Sequence, residues 1–241
     1  MKYTLEIAVF NITAAINAAN AGADRIELCE NGYEGGTTPS YGTLKQVIEK
    51  ISIPVFPIIR PRGGDFLYSA DEFSCMLADV QLCKELGYTG VVLGLLNADG
   101  TIDKKRTSQL TALAYPMEVT FHRAFDRCVR PLEALTDVID AGCQRILTSG
   151  QFPEAPGGIA LIKQLVTAAQ DDIIIMPGSG VRSNNIVSLL QETGAVEIHS
   201  SARTNIPSSM EFICETMQED LSFTGVSKEE VRKMKDIMNG L

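Results

Sequence analysis

Eight short, strand-like stretches recur along this chain, their starts roughly 20 to 36 residues apart, and the segments between them carry helical spacing. They lie near Leu5–Val9, Arg25–Cys29, Val55–Ile59, Val91–Leu93, Glu118–His122, Arg145–Thr148, Ile173–Met176 and Val196–His199. Ser69-Ala70-Asp71-Glu72 reads as a capping box ahead of Phe73, Met76, Leu77 and Val80, and Gly87 supplies the stop. Ile186, Leu189 and Leu190 mark a second helix, ended by Gly194. Ser227-Lys228-Glu229-Glu230 opens a third, with Val231, Met234 and Met238 on its apolar face. Strict alternation of this kind predicts a parallel sheet. Eight units in 241 residues suit a (β/α)8 barrel, a fold that typically takes about 250. A doubly wound open sheet is the alternative. It usually carries Gly-x-Gly-x-x-Gly after its first strand, where this chain has Phe10-Asn11-Ile12-Thr13.

No linker or low-complexity tract divides the chain, so one barrel domain is expected over residues 1–241. The stretch from about Thr204 to Gly225 reads as irregular and is expected to wrap the outside, with a final helix after it. A net charge of −9 argues against nucleic acid and against a polybasic membrane contact. There is no apolar run of about 18 residues to span a bilayer, and MKYTLEIAVF lacks a signal-peptide layout. A cytoplasmic, homo-oligomeric protein is expected. Its cysteines, Cys29, Cys75, Cys83, Cys128, Cys143 and Cys214, form no Cys-x-x-Cys pair, so most are expected reduced and buried.

Barrel enzymes work at the C-terminal ends of their strands, and here those ends are polar. In Arg25-Ile26-Glu27-Leu28-Cys29 the period of two puts Glu27 and Cys29 on one face. Gly35-Gly36 then turns the chain, and Thr38-Pro39 offers an N-cap with proline at the first helical position. Strand 1 carries Glu6, and Arg60 and Arg62 follow strand 3. Glu118, Thr120 and His122 share a face of strand 5, with Arg123 and Asp126 close behind. Thr148-Ser149-Gly150 ends strand 6, Gly178-Ser179-Gly180 follows strand 7, and Glu197 and His199 share a face of strand 8. Buried charges of this kind either pair with one another, as His122 could with Glu118, or bind something. Arginines and a glycine-rich turn near strands 7 and 8 suit an anion.

These residues also compose longer motifs. Gly22-Ala23-Asp24-Arg25-Ile26-Glu27-Leu28-Cys29, Gly35-Gly36-Thr37-Thr38-Pro39-Ser40, Ile59-Arg60-Pro61-Arg62-Gly63-Gly64-Asp65-Phe66, Thr120-Phe121-His122-Arg123-Ala124-Phe125-Asp126 and Leu147-Thr148-Ser149-Gly150 resemble the copper homeostasis family CutC. The resemblance runs from about Leu5 to Arg203. It implies a cytoplasmic TIM barrel linked to copper uptake, storage or tolerance, with Cu(I) bound. Cys29 matches the family's cysteine at the end of strand 2, and His122 or His199 could supplement it. Members held to bind copper carry a second cysteine on strand 1, where this chain has Ala8.

Two functions of different class follow. One is Cu(I) binding, with Cys29 and His199 as metal ligands. The other is an enzyme acting on a small phosphorylated or carboxylated metabolite. In it Arg60, Arg62, Arg123, Ser149 and Gly178-Ser179-Gly180 hold the anion, and His122 is the acid–base group with Glu27 and Glu197 as carboxyl partners.

Overall fold

The computed structural model describes residues 3–241, so the first two residues of MKYTLEIAVF lie outside the described residues. Eight parallel strands form the barrel: β1 (Thr4–Val9), β2 (Arg25–Leu28), β3 (Val55–Pro57), β4 (Gly90–Leu93), β5 (Glu118–Phe121), β6 (Arg145–Thr148), β7 (Ile174–Pro177) and β8 (Glu197–Ser200). Between them run α1 (Ile12–Asn20), α2 (Tyr41–Lys50), α3 (Ala70–Leu86), α4 (Lys104–Ala114), α5 (Pro131–Asp140), α6 (Ile159–Ala169) and α7 (Ile186–Thr193). β1 pairs with both β2 and β8, and β4 to β7 pair in sequence order. A bridge between Ile58 and Val92 joins β3 to β4, and β7 lies beside β8, which closes the ring. The chain is a (β/α)8 barrel.

Alternate strand residues face two different environments. Leu5, Ile7, Val9, Ile26, Leu28, Val91, Leu93, Val119, Phe121, Ile146 and Ile198 are all buried and belong to the core shared with the helices. The other parity is polar in much of the barrel and faces the lumen. Glu6, Arg25, Glu27, Thr120, His122, Arg145, Glu197 and His199 are buried there. Hydrophobic burial on the outer face drives assembly, so the lumen can carry charge provided each charge is paired.

Two helix starts differ from expectation. Thr38-Pro39 does not cap α2, because Ser40 Oγ accepts from Thr43 N instead. Thr38 Oγ1 accepts from the Arg60 N–H, fastening the β2–α2 loop to the end of β3. The capping box of α3 forms in full, with Gly87 as its left-handed stop.

The segment after β8 is irregular over 207–222, apart from one 3₁₀ turn, but its two ends pair as a short ribbon. β9 (Arg203–Ile206) pairs antiparallel with β10 (Phe223–Val226), and α8 (Lys228–Asn239) follows. The ribbon leaves the C-terminal end of β8, where Arg203 stacks over Phe10 at 5.2 Å and Asn11 Nδ2 donates to Thr224 O. It therefore borders the barrel mouth. At α8, Ser227 accepts from Glu230 N, but the Glu230 carboxylate turns away to accept from Ser183 N and Oγ, so only half of that box exists. No helix among the described residues is long and apolar enough to cross a membrane.

Candidate active site

The polar lumen divides into two layers. In the lower one Glu197 accepts from Arg25 at 2.5 Å and from Arg145 at 2.6 Å. Arg25 also pairs with Glu6, and Arg145 reaches Glu118 at 3.1 Å and Thr120 Oγ1 at 3.3 Å. Both guanidiniums stack on Phe56, at 5.1 and 5.7 Å. Glu197 is thus consumed by two arginines beneath the cavity, which removes it from the acid–base role expected of it. Glu118 pairs with Arg145 and not with His122.

The upper layer opens into a cavity of about 590 Å³ at the C-terminal ends of the strands. Ala8, Glu27, Cys29, Ile58, His122, Leu147 and His199 form its floor and walls. Arg60, Arg123, Arg182, Arg203, Ser179, Gly180 and Glu154 line it from the loops. His122, Glu27, His199, Cys29, Arg60, Arg123, Ser179 and Gly180 thus all line this one cavity.

The lumenal carboxylates and histidines hold unequal proton affinities. Burial opposes ionisation of Glu6, but Arg25 and His199 outweigh it and hold the carboxyl down at about 2. His199 Nδ1 lies 2.8 Å from Glu6 Oε1. Burial disfavours the His199 imidazolium, yet that hydrogen bond and the charges of Glu27 and Glu6 raise its pKa above the usual value. Glu27 has no arginine hydrogen bonded to it among the described residues, and burial pushes it up to about 7 against the pull of His199. Burial and Glu27 push the Cys29 thiol well above its ordinary range.

His122 is different in kind. The Ala124 N–H donates to its Nδ1 at 3.2 Å, so the proton of the neutral ring sits on Nε2. That Nε2 is buried and has no hydrogen-bond partner among the described residues. Burial, then the charge of Arg60, push its pKa down to about 3. It is therefore a neutral donor near pH 7 rather than the titrating acid–base group expected from its type. Gly94 makes room for it, since a Cβ there would stand 2.4 Å from His122 Nδ1.

Among the described residues, the cationic rim has one carboxylate-paired member and three without such a partner. Arg60 spends its Nη atoms on the carbonyls of Glu34, Gly36 and Gly64, at 2.7 to 2.9 Å. Arg182 donates to Arg203 O, and Arg203 stacks on Phe10. None of these three makes a salt bridge among the described residues, whereas Arg123 pairs with Asp126 at 2.8 Å. Asp126 in turn accepts from Thr148 Oγ1 and Ser149 N, which fixes Arg123 from behind.

Three expected anion ligands lie elsewhere. Arg62 is half-exposed and paired with Asp65 and Glu72, outside the cavity. Ser149 is buried behind the wall, bonded to Arg123, Asp126 and Phe152 O. Gly178 is packed against Leu147 and His199. Gly180 does reach the cavity, but Glu154 lies against it, so this turn is not an open anion cradle. Arginine carries the cationic function instead. Arg182 and Arg203 carry no sequence motif that marks them, although Arg182 stands only two residues past Gly180 in the same loop.

The donor set does not fit Cu(I), which favours two or more soft ligands. Cys29 is buried at the cavity wall, but Ala8 occupies the neighbouring strand position, paired in register with Glu27. His199 is engaged by Glu6. Among the described residues no cluster of three or more His, Cys, Asp or Glu side chains is arranged to hold a metal ion. All six cysteines are free, and four of them are buried.

A family model described as the CutC family matches residues 3–204. The CutC family protein of Chromobacterium violaceum is 52% identical over 212 residues, covering 88% of this chain and 86% of that protein. The solved CutC protein of Streptococcus agalactiae, provisionally named for copper homeostasis, is 34% identical with a TM-score of 0.78, covering 83% of this chain and 98% of that one. Thiamine phosphate pyrophosphorylase from Pyrococcus furiosus superposes with a TM-score of 0.61 at 14% identity, over 99% of this chain and 96% of that one, a likeness of fold alone.

Proposed function

We propose that this chain, which belongs to the CutC family, binds a small anionic metabolite at the mouth of its barrel and acts on it as an enzyme. One observation carries the reading: His122, whose Nε2–H is buried and has no hydrogen-bond partner among the described residues, lines a cavity whose rim holds three arginines with no carboxylate partner among those residues. Leaving a buried donor unmet costs on the order of 1–3 kcal/mol, so such a group is kept where a ligand supplies the acceptor. The phosphate or carboxylate of the metabolite falls to Arg182 and Arg203, with Arg60 and Arg123 behind them. Glu27 and His199 lie on the cavity floor and supply acid–base groups.

Thermal unfolding in the presence of phosphorylated and carboxylated metabolites tests this. A ligand at 100 times its Kd adds about 2.7 kcal/mol of stability, a shift that is read directly. A specific anion is expected to raise the midpoint in wild type and not in Arg203→Ala. Equal shifts in both proteins remove Arg203 from the site.

Copper is the second occupant to test, because the Streptococcus relative is named for copper homeostasis and Cys29 lines the cavity. With one thiol and Ala8 beside it, the donor set supports no step through the metal. Anaerobic Cu(I) titration against a competing chelator is expected to show no tight site. Stoichiometric binding that Cys29→Ser abolishes overturns that expectation.

A further inference from the structure

The arrangement of the cavity floor extends to the reaction itself, and this step rests on the anion-binding reading above. We infer that the substrate is an anionic carbonyl compound, and that Glu27 removes a proton from the carbon beside its carbonyl while the His122 Nε2–H donates to the carbonyl oxygen. Three features of the geometry point there.

The first is that His122 is built as a donor and not as a base. Its Nδ1 is occupied by the Ala124 N–H, so the ring's one N–H is on Nε2, buried in the cavity wall and without a partner among the described residues. Phe66 packs against the ring at 4.9 Å, and Arg60 stands over Phe66, which discourages a second positive charge on the imidazole. A fixed neutral imidazole suits an oxygen on which negative charge grows, because it stabilises that charge without surrendering its proton.

The second is that Glu27 is left without the clamp that its neighbours have. Glu6 and Glu197 each hold an arginine on a carboxylate oxygen. Glu27 has a thiol neighbour, Cys29, and His199 Nε2 at 3.6 Å, too far for a direct hydrogen bond. A carboxylate that is buried yet unclamped is suited to take a proton. The third is that His199 is anchored from behind by Glu6, which leaves its Nε2 directed towards Glu27 and able to support the charge that comes and goes there. Glu6 is a positioning residue in this scheme.

The step balances with no further reactant. The C–H bond breaks and its proton passes to the Glu27 carboxylate. The C–H electron pair becomes a carbon–carbon double bond, and the carbonyl π pair moves onto oxygen, where it meets His122 Nε2–H. Swap of the Glu27 proton for a solvent deuteron, followed by its return to the same carbon, gives exchange. Return to the adjacent carbon, with a hydroxyl proton moving between the oxygens, gives an isomer.

The test is proton exchange in D2O followed by 1H NMR. The probes are dihydroxyacetone phosphate, ribulose 5-phosphate, pyruvate and oxaloacetate, each beside an alcohol of like charge such as glycerol 3-phosphate, lactate or malate. At least one carbonyl probe is expected to lose its α C–H signal at least 100-fold faster with enzyme than without, and no alcohol is. Glu27→Gln should cost about 10²–10⁴-fold with the midpoint shift by the same probe retained, and His122→Phe should cost about 10²–10³-fold and weaken that shift, since it removes a ligand contact. Midpoint shifts without exchange, or exchange that survives Glu27→Gln, overturn the inference and leave anion binding standing. No midpoint shift from any of these anions, carbonyl or alcohol, overturns the anion reading with it.

Discussion

His199 Nε2 stops 3.6 Å from Glu27 Oε2, close enough to feel its charge and too far to share a proton with it. That gap leaves burial in command of Glu27, with a pKa of about 7. Glu27 and Glu197, alike as lumenal carboxylates, therefore have opposite prospects on substitution.

Glu27→Gln should not destabilise the protein at pH 8 and should raise its denaturation midpoint there. The folded pKa lies above the ordinary 4.5, so the folded state keeps its proton longer than the unfolded state. The stability from this group is complete below about pH 4.5 and is lost as pH rises through about 7. Across that window the loss approaches about 1.4 kcal/mol per pH unit. Urea denaturation at pH 5 and pH 8 reads the difference, and a Gln variant weaker than wild type at pH 8 contradicts it.

Glu197→Gln should be costly at every pH near neutrality. It strips the shared partner from Arg25 and Arg145, both buried, and breaking such a network from one side costs about 3–5 kcal/mol. Chemical denaturation again measures it. A loss under about 1 kcal/mol would mean that the two guanidiniums find other partners.

His122 gives the protein an acid sensitivity of its own. Its folded pKa, about 3, lies below the ordinary 6.5, so the unfolded state takes up the proton first as pH falls. Its contribution is whole above about pH 6.5 and is lost as pH drops towards 3. Between about pH 4.5 and 6.5 the slopes of His122 and Glu27 oppose each other, and below about 4.5 the loss from His122 is joined by that from Glu6, whose carboxyl is held down at about 2. His122→Gln should flatten the acid limb of the stability curve. An unchanged acid limb contradicts a buried neutral imidazole.

Gly94→Ala tests the ring's placement without touching its chemistry. The added Cβ would stand 2.4 Å from Nδ1 and 2.6 Å from Cε1, so the imidazole must move or the strand end must. Overpacking of this kind costs about 1–3 kcal/mol, and any anion-induced midpoint shift should fall with it. A variant with normal stability and undiminished ligand response shows that the close fit is not needed.

The barrel was legible because its outer face is apolar at every second strand residue, a pattern that burial against helices enforces locally. The lumen was less so. Arg25 and Arg145 share parity with Glu27 and Leu147, and that alone could have placed them inside, but pairing across the barrel depends on strand register, which no local pattern carries. His122 was assigned a titrating role from its side-chain type, and only the Ala124 N–H on Nδ1 and its burial reveal a neutral donor. The half-built cap at Ser227 has the same origin, since Ser183, 47 residues away, claims the Glu230 carboxylate.

A crystal structure with the anion that most raises the unfolding midpoint tests the central claim most directly. The account predicts density in the barrel mouth, with the phosphate or carboxylate against Arg203 or Arg182. A ligand oxygen should stand about 2.7–3.2 Å from His122 Nε2. A ligand seated outside the mouth, or one in the mouth that leaves His122 Nε2 unmet, contradicts it.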